Sequence, residues 1–123
     1  MQTPLSLDEE ALAKLLRLGG TRLAGNMVDL FLDFAPTKIT EARAAEQKGD
    51  WHGVADAVHP LRTSAGHVGA LQMQALAVEI ETLARAGEAT RIPDQLTAMA
   101  DAFAEIQPKL REKRAALAGA SRG

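Results

Sequence analysis

Between Asp50 and Gly69 the apolar side chains Trp51, Val54, Val58, Leu61, Ala65 and Val68 recur at alternating steps of three and four, the seam of a helix that buries one side. Such a helix is not stable alone in water, so the pattern demands partners of the same kind. The chain supplies them. Leu23, Met27, Leu30 and Phe34, with Phe31 widening the stripe, repeat the period, as do Met73, Leu76, Ile80 and Leu83, and then Leu96, Met99, Phe103, Ile106 and Leu110. The expected fold is therefore all-α, an antiparallel four-helix bundle of one domain over residues 1–123.

The punctuation sets the boundaries. Ser6 and Glu9 form a capping box for a short additional N-terminal helix carrying Leu12, Leu15 and Leu16, which should break at Gly19 and Gly20. The next helix should kink at Pro36 and stop near Lys48 and Gly49. Asp50 is the expected N-cap of the helix that follows, and Gly69 its left-handed stop. Gly87 ends another helix, and Pro93 suits the first turn of the last, with Pro108 a bend. Residues 1–5 and 119–123 are expected to fray.

Composition excludes several functions. There is no cysteine, so disulfides and thiol chemistry are out. A formal charge of -2, from 14 basic and 16 acidic residues, gives no nucleic-acid footprint. No apolar run reaches membrane-spanning length, and the first residues lack a signal peptide's basic and apolar regions, so a cytoplasmic protein with no membrane partner is expected. No HExxH, P-loop or GxGxxG pattern is present, and no nucleotide site can be argued. A filled bundle core suggests a monomer.

His59 is the residue around which these helices are arranged. At roughly 100° per residue it lies about 130° from the centre of its seam, with Ala55, Arg62 and Gly66 between it and the buried edge. It should face solvent beside one guanidinium, a layout that accepts an anion. The tight connection at residues 69–71 makes the helices before and after it a hairpin with residue 70 at its midpoint. Residues 59 and 81 are each eleven from that midpoint and each one past a seam position. Glu81 is thus the carboxylate placed to reach His59. By accepting from Nδ1–H it would leave the Nε2 lone pair pointing outward as a nucleophile. His52, about 10 Å along the axis, and His67 in the helix end are expected bystanders.

The run His59-Pro60-Leu61-Arg62-Thr63-Ser64-Ala65-Gly66-His67-Val68-Gly69-Ala70 resembles the signature of histidine-containing phosphotransfer (HPt) domains. The resemblance implies that His59 accepts a phosphoryl group, that Arg62 screens its charge, and that Glu81 holds the place of a polar partner for the histidine. It further implies a phosphocarrier without its own nucleotide site, relaying between a histidine kinase and the aspartate of a response-regulator receiver domain. Mg2+ would belong to the receiver. Ala55, Thr63 and Gly66 would contribute to docking, with Leu12 and Leu16 extending an apolar patch.

Two positions depart from the pattern. Thr63 stands where the family usually has glycine. Pro60 removes the bond to the Asp56 carbonyl, a loss of about 3 kcal/mol in an ideal helix interior, and a kink there would tilt His59. Thr63 keeps a second reading open, a helical adaptor that docks a receiver without being phosphorylated. A third, the dimerisation and phosphoacceptor domain of a kinase, is weakened by the absence of an ATP-binding segment.

Overall fold

The computed structural model describes residues 7–122, with side chains to residue 119, so the expected Ser6 cap and the expected fraying of residues 1–5 and residue 123 lie outside the described residues. Four helices follow one another: α1 (Glu9–Gln47), α2 (Trp51–His67), α3 (Leu71–Arg85) and α4 (Ile92–Arg122), with a 3-10 turn at Ala89–Arg91 that the spacing did not predict. No described helix is long and apolar enough to cross a membrane.

α1 is two arms. Gly19 (φ -150°, ψ 16°) and Gly20 (φ 71°, ψ -167°) leave helical geometry, and the second of these is backbone that only glycine adopts freely. The expected break is there. The arm of residues 9–18 starts on Asp8, whose carboxylate accepts from the Glu10 N–H at 3.2 Å. The arm of residues 21–47 keeps helical dihedrals through Pro36, so the distortion expected at the proline sits entirely at the glycine pair. α2 also runs unbroken through Pro60. α4 runs on through Arg122, past the point where its end was expected to loosen.

Helix α2 packs against both α1 and α3, and α4 closes the bundle by packing against the same two. The predicted seams of α2, α3 and α4 are buried except for Trp51, which is half-buried at the start of α2, and Phe31 meets Phe103 with ring centroids 6.0 Å apart. The seam of the second arm of α1 differs. Its buried residues are Ala24, Gly25, Val28, Phe31, Ala35, Ile39 and Ala42, whereas Leu30 is 62% exposed and Leu23, Met27 and Phe34 are half-buried. Small residues allow close helix approach, so the alanine row took the core and the bulkier row was turned to its rim.

The turn after α2 also ties down the N-terminus. Gly69 (φ 81°) is crossed by the backbone of Asp8, whose N–H donates to the Gly69 carbonyl at 2.9 Å; a Cβ there would lie 2.5 Å from the Asp8 carbonyl oxygen. The same glycine therefore stops α2 and anchors the first arm of α1.

Candidate functional site

Asp50 starts α2 by accepting from the Gly53 N–H at 2.9 Å, and Val68 and Gly69 end it. Between them the outermost strip of the helix reads Asp56, His59, Thr63 and His67, all exposed. The side chain of His59 is 57% exposed.

Across the α2–α3 hairpin the register is a reflection about residue 70, and the side chains meet accordingly. His59 Nδ1 lies 2.9 Å from Glu81 Oε2. Gln74, the reflection of Gly66, passes over it to donate to the Arg62 carbonyl at 2.9 Å, and a Cβ on Gly66 would collide with its amide. Gly66 is thus a structural crossing point as well as part of the surface.

Glu81 is only 8% exposed and both its carboxylate oxygens are bonded. Oε1 accepts from Arg62 Nη1 at 2.9 Å; Oε2 accepts from His59 Nδ1 and from Arg85 Nε at 3.0 Å, with Arg85 Nη2 in ion-pair range at 2.9 Å. Burial by itself pushes a carboxyl's pKa up. Here the bonds from Arg62, Arg85 and His59 outweigh it and hold Glu81 below the usual carboxylate range.

An ionised carboxylate only accepts, so Nδ1 must carry the proton of the 2.9 Å bond. The Arg62 Nη1 that lies 3.4 Å from the same nitrogen therefore meets an N–H rather than a lone pair, and that approach is proximity without a bond. In the neutral ring the lone pair is left on Nε2, which has no hydrogen-bond partner among the described residues.

Of the predicted site residues, the structure brings His59, Arg62 and Glu81 into one cluster and leaves Thr63 and Gly66 beside it on the surface. Ala55 is a correction. It is fully buried and presents nothing to a partner, because α2 sits between two helices and its buried arc is wider than the three-four seam. Leu12 is likewise in the core, while Leu16 is 39% exposed.

Two participants were not foreseen. Arg85 lies one turn after Glu81 on α3, and Asp56 on α2 is 3.6 Å from the same guanidinium. The i,i+4 spacing from Glu81 and the reflection of residue 56 onto 84 were both present in the sequence. His52 pairs with Asp56 at 3.1 Å.

Next to the cluster the surface is grooved. One depression, mostly polar, is lined by Arg62, Thr63, Gly66, His67, Gln74 and Val78; another, toward α1 and apolar, by Met27, Leu30, Phe31, Phe34 and Ser64. The Ser64 hydroxyl in that second groove is buried without a partner.

Residues 26–109 match the Hpt domain family. The chain also superposes on the crystal structure of histidine-containing phosphotransfer protein B (HptB) from Pseudomonas aeruginosa PAO1 with a TM-score of 0.84, at 25% sequence identity, covering 92% of this chain and 96% of that one. No curated protein sequence matches it.

Proposed function

The chain belongs to the Hpt domain family, and on that premise we propose that it is a phosphocarrier of a two-component phosphorelay, with His59 taking a phosphoryl group at Nε2 and exchanging it with a receiver-domain aspartate. The observation that supports this reading is the 2.9 Å bond from Nδ1 to a buried, ionised Glu81 beneath a ring that is 57% exposed. That bond selects the tautomer and aims the free lone pair at solvent.

In the transfer the Nε2 lone pair forms the N–P bond while the P–O bond of the partner's aspartyl phosphate breaks, its electron pair leaving with the aspartate carboxylate. Nδ1 keeps its proton throughout. The ring therefore becomes cationic as it is phosphorylated, and Glu81 opposes that charge from 2.9 Å. A loose transition state needs little beyond a positioned nucleophile and cations near its equatorial oxygens, and Arg62 is the cation at hand. Mg2+ is assigned to the receiver, and a histidine kinase to the upstream end of the relay. The grooves along Thr63, Gly66 and His67 and along Leu30 and Phe34 form the docking face.

Incubation with phosphorylated candidate receivers tests this. Acid-labile, base-stable phosphate is expected on the wild type and none on His59→Gln. A receiver that binds both forms equally and transfers to neither would instead make the protein an adaptor.

A further inference from the structure

A buried carboxylate facing a single cation holds that cation fast, and Glu81 faces two. They are not equivalent. Arg62 comes across from α2 and makes one bond, Nη1 to Oε1 at 2.9 Å. Arg85 stands on the same helix as Glu81, donates from Nε to Oε2 at 3.0 Å, and holds its Nη2 between Oε2 at 2.9 Å and Asp56 Oδ1 at 3.6 Å. A guanidinium one turn from its carboxylate and flanked by a second carboxylate is held more firmly than one that reaches across with a single bond. Arg85 is the fixed partner and Arg62 the one that moves at smaller cost.

This matters because the phosphoryl group arrives next to an Arg62 that is already engaged. Resting on the phosphotransfer reading, we propose that Arg85 is a positioning residue for the reaction: it keeps Glu81 neutralised, so that Arg62 is released from Oε1 onto the phosphoryl oxygens while Glu81 keeps Nδ1–H. Arg62 exchanges one oxyanion for another, and the exchange itself moves no proton. Without Arg85 the only guanidinium left on the buried carboxylate is Arg62. Its departure would leave the buried carboxylate with the His59 ring alone, beside a second anion, so it stays and the phosphoryl group goes unscreened. Neither neighbour on α2 substitutes: the cationic ring of phosphorylated His59 stays on Glu81 but brings the larger negative charge of the phosphoryl group with it, and Asp56 is itself an anion paired with His52.

The full chain, phosphorylated on His59 with phosphoramidate and followed by 31P NMR across pH, reads this out, because a guanidinium on the phosphoryl oxygens lowers the pH at which the group loses its last proton. Arg62→Gln in the wild-type background should raise that midpoint by about one pH unit, a tenfold change. Arg85→Gln should raise it by a similar amount, and Arg85→Lys should stay close to wild type. In the Arg85→Gln background, Arg62→Gln should then change little, since Arg62 has already been withheld. If the two substitutions instead add, with Arg62→Gln raising the midpoint by its full amount in both backgrounds, the hand-over is overturned while His59 remains the acceptor. A wild type that takes no phosphate on His59 overturns the phosphotransfer reading and the hand-over together.

Discussion

On the side of α2 that faces α3, the buried polar atoms of the cluster have found partners inside the protein while His59 Nε2 is left open: the two oxygens of Glu81 accept from three side chains, and the Arg62 carbonyl is bonded by Gln74. On the side that faces α1 the surface is unfinished. Leu30 stands 62% exposed at the edge of a groove with Met27 and Phe34, and Ser64 Oγ is buried there without a hydrogen bond. One helix thus carries a flank whose carboxylate is fully partnered in the free protein and a flank with exposed apolar side chains and an unpaired hydroxyl. On the proposed function reactivity belongs to the first and recognition to the second, and the two should respond differently to substitution.

Glu81→Gln is expected to have the largest effect on the polar flank. A neutral amide cannot match a carboxylate among two guanidiniums, and the change should lower stability by about 2 kcal/mol, read as a drop in the denaturation midpoint. It should also alter the pH dependence of stability. The folded-state pKa of Glu81 lies below its ordinary value of 4.5, so its contribution is fully present above pH 4.5 and is lost as pH falls through the lower folded value. Wild type should lose that stability on acidification and the variant should lack that component. Equal losses in both would remove Glu81 from the account of the polar flank.

The same two flanks differ in how far the sequence revealed them. The register of the α2–α3 hairpin was legible because its connection is short and its turn is fixed by Gly69, so that a reflection about residue 70 pairs His59 with Glu81 and Gly66 with Gln74. Arg85 and Asp56 obey the same geometry but were passed over, since a charged residue on a helix is ordinarily a solvated one. On α1 the reading was out by about one residue. Hydrophobic weight favours Leu30 and Phe34 over Ala24 and Ala35, yet small residues let the helices approach closely, and these alanines went inside beside Val28 and Phe31. The misplaced seam and the unfinished flank are the same residues. Apolar side chains displaced from the core form the surface assigned here to docking.

Leu30→Asp separates the flanks from the other side. Because the side chain is mostly exposed, stability should change by no more than about 0.5 kcal/mol. Affinity for a cognate receiver, measured by titration calorimetry, should fall about tenfold, as for an anchor residue lost from an interface. The lifetime of phosphate on His59 should not change, since every hydrogen bond and ion pair of the cluster lies within α2 and α3. A variant that binds normally would confine docking to the groove along Thr63 and His67.

The smallest expected effect has two signs. Ser64 sits within α2, where a serine hydroxyl commonly bonds back to the carbonyl one turn earlier, yet its Oγ has no partner. An unpaired buried hydroxyl destabilises the protein, so Ser64→Ala should gain about 1 kcal/mol, seen as a rise in Tm of about 4 °C. If docking opens the groove so that the receiver reaches the buried Oγ, the receiver supplies the missing bond in the complex, and the same substitution should weaken binding by about fivefold. A protein that becomes more stable alone and less avid in company is what an unfinished flank predicts. A gain in stability with binding unaltered would mean that the apolar contacts alone define this side, and that the hydroxyl is a packing defect rather than a point of recognition.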